Sequence, residues 1–251
     1  MITFVGAGPG AADLITVRGL KRLEQADIVI YAGSLVNPAL LDGTREGCEI
    51  YNSAHMTLEE VIDVCIRGEK EQKQVVRLHT GDPCIYGAIR EQMDLLDEAG
   101  IEYEVIPGVS SFIGAAASLK AEFTLPDVSQ TVILTRMEGR TPVPEKERIE
   151  ELARHQATMV IFLSAGMLGE LSQRLQEGGY APETSAAIVY KATWPDEKII
   201  YTTVAQLEEA AAANGIHKTA LIFVGEFLGD RYERSKLYDP TFSHEYREAS
   251  K

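Results

Sequence analysis

The sequence predicts an α/β protein of two domains. In the first half, short apolar runs alternate with segments of helical periodicity, and loops of Gly, Pro and small polar residues follow several of the runs. A second series of runs and helical segments starts after about residue 125 and includes one hairpin pattern. A length of 251 residues fits one large or two modest domains and is enough for a sizeable core without staples.

The elements follow in order. Residues 2–5 (ITFV) are a short β-rich run. Thr16 is then placed as the N-cap of a helix with Val17, Leu20 and Leu23 at helical spacing. Residues 27–33 (DIVIYAG) read as a second strand, its continuous apolar run implying burial on both faces. Thr57 with Glu60 three residues on forms a capping box for the next helix. Residues 74–83 are strand then loop, 88–100 a helix closed by glycine, and 102–111 strand then loop before an alanine-rich helix. This is β-α repeated about four times, the pattern of a parallel sheet with crossover helices. Its loops GAGPG, GDP and PGVSS therefore lie at the carboxyl edge of the sheet, where open α/β folds bind ligands.

In the second half, 131–136 is a strand and 142–155 a helix entered through prolines. Residues 158–165 are a strand and 167–179 a helix ended by glycines. Residues 185–193 and 198–204 flank Trp194-Pro195-Asp196-Glu197 as a hairpin, and 219–226 is a last strand. The tail from Arg231 is polar and aromatic, without periodicity. The expected organisation is an N-terminal α/β domain over 1–113, a linker over 114–125, and a C-terminal α/β domain with a mixed sheet and polar tail over 126–251.

Composition removes several function classes. The formal charge is −14, from 38 acidic and 24 basic residues, which disfavours nucleic acid and anionic membranes as partners. Cys48, Cys65 and Cys84 are odd in number and widely spaced, and the five histidines are scattered, so neither a disulfide framework nor a metal site is expected. No basic segment with an apolar core opens the chain, and no apolar run approaches the ~20 residues of a membrane span. The reading is a soluble, reduced, cytoplasmic protein.

Gly6-Ala7-Gly8-Pro9-Gly10-Ala11 formally matches the G-x-G-x-x-A of dinucleotide sites. Such a site needs a helix that begins at the glycines, whereas Thr16 caps this one several residues later. It also needs an acid at the end of the second strand, which here ends Tyr31-Ala32-Gly33. Both requirements fail, so a nicotinamide or flavin cofactor is not expected. The three glycines are read instead as a surface without side chains, against which a flat group can lie. Asp82 reads either as a ligand group or as a turn or helix cap, and Ser110 either as a ligand group or as an N-cap.

The stretches GAGPGAADLIT, ADIVIYAGSLV, HTGDPCIYGA and EVIPGVSSF, in that order, resemble the tetrapyrrole methyltransferase family, and the resemblance runs from residue 2 to about 240. It implies a two-domain tetrapyrrole-methylase-like fold, each domain an α/β sandwich, with the active site in the cleft between them. It also implies S-adenosyl-L-methionine as methyl donor, a tetrapyrrole or corrinoid substrate, and a homodimer. YAGSLVNP, NSAHMTLEE, LTRMEGRTPVPE and the tail RSKLYDPTFSHEYR are similar to the branch that methylates C-11 of a corrin-ring precursor. The branch acting on uroporphyrinogen has an acid in place of Ala32 and a lysine-bearing segment near 53–56, and the sequence departs from it at both. Two alternatives within the fold are another family member, such as a diphthine synthase or a ribosomal RNA methyltransferase, and a non-catalytic tetrapyrrole carrier.

By the same resemblance Pro9 borders the cofactor, and Thr80, Gly81 and Asp82 hold its methionine end, with Thr80 replacing the family's first glycine. Ile85 is an apolar wall, and Ser110 and Ser111 bond through backbone and hydroxyl. Leu163, Ala192 and Ala220 enclose the adenosine, although Leu163 also reads as the end of a core strand. Arginines suit the substrate's carboxylates because the guanidinium fork binds them in two places; among Arg77, Arg90, Arg136 and Arg140 the last two rank first. His55 is the candidate general base.

Overall fold

The computed structural model describes residues 1–250. It comprises two compact units, one of residues 1–115 with 192–196, the other of residues 116–191 with the chain from 197 onward.

The first unit is a five-stranded parallel sheet. β1 (Ile2–Gly6) leads to α1 (Val17–Glu24), β2 (Ile28–Tyr31) and β3 (Glu49–Asn52). Then come α2 (Leu58–Lys70), β4 (Val75–His79), α3 (Ile89–Glu98), β5 (Tyr103–Ile106) and α4 (Ser111–Leu119). The strand order is β3-β2-β4-β1-β5. Thr16 Oγ1 accepts the Gly19 N–H (3.1 Å), and the Thr57–Glu60 capping box is present at both bonds. One face of the sheet packs Val5, Val29, Val76 and Leu78 with Leu23 of α1. The other packs Ile2, Phe4, Ile28, Ile30 and Val75 with Val61, Ile62 and Cys65 of α2 and Leu96 of α3. Burial on both faces is why these strands read as continuous apolar runs.

The second unit holds β6 (Val132–Arg136), α5 (Ile149–Ala153), β7 (Thr158–Phe162), α6 (Leu168–Glu177) and β8 (Ser185–Tyr190). β9 (Lys198–Thr203), α7 (Leu207–Ala213) and β10 (Ala220–Val224) complete it. The sheet order is β6-β7-β10-β8-β9, with β6 and β7 parallel and the remaining pairs antiparallel. β8 and β9 form the expected hairpin. Met159, Ile161, Ile188 and Ile222 pack against Ile149, Leu171, Leu175 and Leu207 of the three helices.

Besides strand ends read a few residues too long, four features differ from the sequence reading. β3 was not anticipated, because its alternation of Glu49, Ile50, Tyr51 and Asn52 is only half apolar. The helix expected over 142–155 is a 3-10 turn, Glu145–Glu147, followed by α5 from Ile149, because Pro144 (ψ 142°) and Arg148 (ψ 151°) both take extended backbone and break the helical run on either side of the turn. Residues 114–119 of the expected linker are the second half of α4. Residues 192–196 group with the first unit rather than with the C-terminal domain.

Candidate active site

Three loops meet at the carboxyl edge of the first sheet, because they leave the adjacent strands β4, β1 and β5. Gly8 and Gly81 pair as a short antiparallel bridge (N···O 3.2 and 2.9 Å), and the Ala7 N–H donates to the His79 carbonyl (2.7 Å). A Cβ on Gly6 would stand 2.5 Å from Gly108 Cα, and one on Gly108 would stand 2.2 Å from the Gly81 carbonyl oxygen. Backbone therefore touches backbone among the three loops, and no side chain fits there. The Asp82 carboxylate ties them further, accepting the Cys84 N–H at Oδ1 (2.8 Å) and the Gly108 N–H at Oδ2 (2.9 Å).

This corrects the expectation of a bare glycine shelf. Gly6 is filled by Gly108 and Gly81. A Cβ on Gly10 would lie 2.2 Å from Trp194 Cδ1 and 2.7 Å from the Ala192 carbonyl. Pro9 is buried and its ring lies on Gly114 of α4, where a Cβ would come within 2.6 Å. Gly6, Gly10 and Gly108 thus meet other parts of the chain where a side chain would stand. The loop amides are likewise engaged, Ala7 and Gly8 as above and Ala11 with Thr193 Oγ1 (2.9 Å). Asn37 Nδ2 donates to the Gly10 carbonyl (2.8 Å). With those donors occupied and α1 starting only at Val17, the loop offers no cradle for a pyrophosphate.

Pro9, Thr80, Gly81, Asp82, Ile85, Ser110 and Ser111 are thus gathered at one edge. Thr80, Ile85 and Ser111 are half-buried there, and the Ser110 carbonyl accepts the first bonds of α4 from Ile113 and Gly114 (3.0 and 3.1 Å). Asp82 and Ser110 accordingly take the turn-forming and helix-starting roles. His55 is exposed in the 3-10 turn Ser53–His55 after β3. It shares the sheet edge but lies two strands from β4, about 10 Å across the sheet at the usual strand spacing.

Arg77 is not available to a substrate carboxylate as expected. It is 6 % exposed in β4, with Nε donating to Gln92 Oε1 (3.0 Å) and Nη1 to the Ile30 carbonyl (3.0 Å). Burial lowers its pKa to about 10, so it stays cationic at neutral pH. Arg90 pairs with Asp94 one helical turn on, at 2.8 Å and on an exposed face. His79, on the same face as Arg77, is 3 % exposed, and its Nε2 has no partner among the described residues. Burial first, and then the Arg77 charge, lower its pKa to about 3.

The second unit gathers its own residues at one sheet edge. Arg136 stands opposite Phe162 at the ends of β6 and β7, and Ala220 opposite Tyr190 at the start of β10 and the end of β8. Arg136, Leu163 and Ala220 therefore share that edge, while Ala192, two residues past β8, belongs with the first unit. Ala192 and Ala220 are buried, Ala220 within the core. Leu163 is not core: it is 67 % exposed with φ 53°. Lys191 (φ 47°) and Thr219 (φ 58°) give three non-glycine left-handed residues on the ends of three adjacent strands. Such backbone costs roughly 1–3 kcal/mol per residue and clusters at ligand sites. Arg136 donates to the Met137, Thr141 and Pro142 carbonyls (3.1, 3.2 and 2.8 Å), leaving two of its five N–H groups without a partner among the described residues. Arg140 is exposed.

A family model described as Tetrapyrrole (Corrin/Porphyrin) Methylases matches residues 1–208. The chain belongs to the tetrapyrrole methylase family. It is a methyltransferase of that family, and its similarity to known members covers nearly its whole length. A cobalt-precorrin-4 C(11)-methyltransferase of Methanocaldococcus jannaschii is 57% identical over 251 residues, all of this chain and 97% of the relative. One of Priestia megaterium is 50% identical over 98% of this chain and 97% of the relative. The X-ray structure of a cobalamin biosynthetic enzyme, cobalt precorrin-4 methyltransferase, superposes with a TM-score of 0.89 at 49% identity, covering 91% of this chain and 96% of that one.

Trp194, Thr193, Asn37 and Ser164 are the contributors to this methylase's loop edges that sequence reasoning missed. Asn37 before Pro38 carries the signal of a cap, which it is for the following 3-10 turn. Thr193 and Trp194 have no local signature because their partners are distant in sequence, and Ser164 because the Met137 N–H it accepts lies beyond another strand.

Proposed function

We propose that this tetrapyrrole methylase transfers a methyl group from S-adenosyl-L-methionine to C-11 of cobalt-precorrin-4 in cobalamin biosynthesis. The observation that carries the reading is identity of 57% across the whole chain to an enzyme named for that reaction. The loop edges fit the donor. In the loop after β1 the Ala7, Gly8 and Ala11 amides are engaged within the chain, whereas half-buried Thr80 and Ser111 and the out-turned Leu163 suit small neutral and apolar groups.

S-adenosyl-L-methionine, when bound, supplies a methyl group already activated by its sulfonium, so no side chain need act as a nucleophile. The chain's own work is binding, orientation and exclusion of water. In this reading Pro9, Thr80, Gly81, Ile85, Ser110 and Ser111 border the methionine end, with Asp82 holding their loops in place. Leu163, Ala192 and Ala220 enclose the adenosine. The two open N–H groups of Arg136, with exposed Arg140, take carboxylates of the tetrapyrrole. His55, exposed in the turn after β3, is the candidate general base on the edge of the first sheet. The enzyme works as a homodimer in the cytoplasm, and light scattering in solution reads the dimer directly.

The test is incubation of the purified protein with cobalt-precorrin-4 and S-adenosyl-L-methionine, followed by mass spectrometry. One added methyl group is expected, on C-11 by NMR. Unchanged substrate with folded protein overturns the reading, and uptake of NAD in place of S-adenosyl-L-homocysteine by calorimetry overturns the cofactor.

A further inference from the structure

We propose that Ser164 is a positioning residue for cofactor binding, its hydroxyl set between the last backbone groups of β6 and β7 so that Leu163 is held turned out at the sheet edge. The inference rests on the reading that Leu163 borders the adenosyl half of the cofactor.

In an unbroken parallel ladder a strand-end N–H donates directly to a carbonyl of its neighbour. Here the Met137 N–H, one residue past β6, donates to Ser164 Oγ (3.0 Å). That hydroxyl in turn donates to the Phe162 carbonyl at the end of β7 (2.7 Å). Arg136 and Phe162 are the last pair in register, so the hydroxyl relays the next ladder bond across the opening between the strands. Ser164 is 0 % exposed, and water does not compete for either bond.

The relay closes the bend Phe162-Leu163-Ser164. Leu163 inside it takes φ 53° and carries its side chain into solvent. Neither backbone preference nor hydrophobic burial favours that state for a leucine, so the surrounding bonds must impose it. The same hydroxyl fixes the Met137 N–H, and the carbonyl of that residue, in the next peptide unit, accepts from Arg136 Nη1 (3.1 Å). One buried oxygen thus sets the place of an apolar wall and of the corner that carries the substrate-facing arginine.

The experiment uses the full-length protein with Ser164→Ala, Leu163→Gly, the double variant and Ser164→Thr. Steady-state kinetics give kcat and KM for S-adenosyl-L-methionine, and calorimetry gives Kd for S-adenosyl-L-homocysteine. Ser164→Ala is expected to raise KM and Kd roughly tenfold with kcat within about twofold, the signature of lost binding rather than lost chemistry. In the Leu163→Gly background Ser164→Ala adds little, because both act through one wall. Ser164→Thr keeps the hydroxyl and stays near the original Kd. A folded Ser164→Ala variant with unchanged KM and Kd overturns the proposal, as does full additivity with Leu163→Gly. Should Ser164→Ala unfold, Ser164→Cys replaces it with the same two outcomes. If the original protein turns nothing over, the functional reading fails alone, and the calorimetric series still decides the role of Ser164.

Discussion

Gly10 shows how single residues set the glycine loop. The Trp194 indole stands 2.2 Å from where its Cβ would be, so Gly10→Ala must displace the ring. A cost of about 1–3 kcal/mol is expected, the usual range for overpacking a filled space. Trp194 is the chain's single tryptophan, and its emission reports this contact without background. A shift of that emission together with a lower urea midpoint is the expected outcome; an unchanged spectrum at unchanged stability would contradict the packing. At this scale the sequence marked three loops that the fold brings to one sheet edge, but not what fills the space beside their glycines. Gly-Pro spacing indicates that side chains are absent, and cannot indicate whether ligand or protein backbone occupies the space. Asp82 illustrates the same limit, since a carboxylate before proline reads as ligand or turn until its Gly108 partner, 26 residues on, is located.

Among elements, those specified by local chemistry were legible. The Thr57–Glu60 box is a contact between residues three apart, and it caps α2 as read. Thr57→Ala removes one bond of the box and is expected to lower stability by about 1 kcal/mol in denaturant titration, with kcat unchanged. β3 was not legible, because its stability lies outside its own sequence. It is an edge strand whose Glu49 meets Arg67 (2.7 Å) and Lys73 (2.7 Å) from α2 and the turn beyond. The hydrogen bonds from Arg67, then Lys73, hold the Glu49 carboxyl down at about 2. A third of its surface is exposed, so salt screens much of that gain. The end of β7 was over-extended for a related reason: apolar Leu163 continues the hydrophobic run, while the Ser164 relay to β6 terminates the strand.

For the whole molecule, acid stability follows from His79. Its folded pKa, about 3, lies below the unfolded value near 6.5, so the unfolded chain binds more protons between them. Stability therefore falls as pH drops from 6.5 toward 3, with a slope of at most about 1.4 kcal/mol per pH unit from this group. Glu49 contributes in the same direction, but only from about 4.5 down to about 2 and weakly. His79→Gln is expected to flatten urea midpoints between pH 6.5 and 4.5; an unaltered pH profile would mean that the imidazole is charged in the native state. The sequence by itself determined the alternation of strands and helices, the sheet edge on which the loops lie and the family, because apolar period, caps and glycine loops are written within a few residues of one another. Tertiary structure alone decided that residues 192–196 return to the first unit, that Arg77 is buried, and that Leu163 stands out from its core. Each of those depends on groups tens of residues apart or on a neighbouring strand, and no local pattern records which distant group fills a space or accepts a bond.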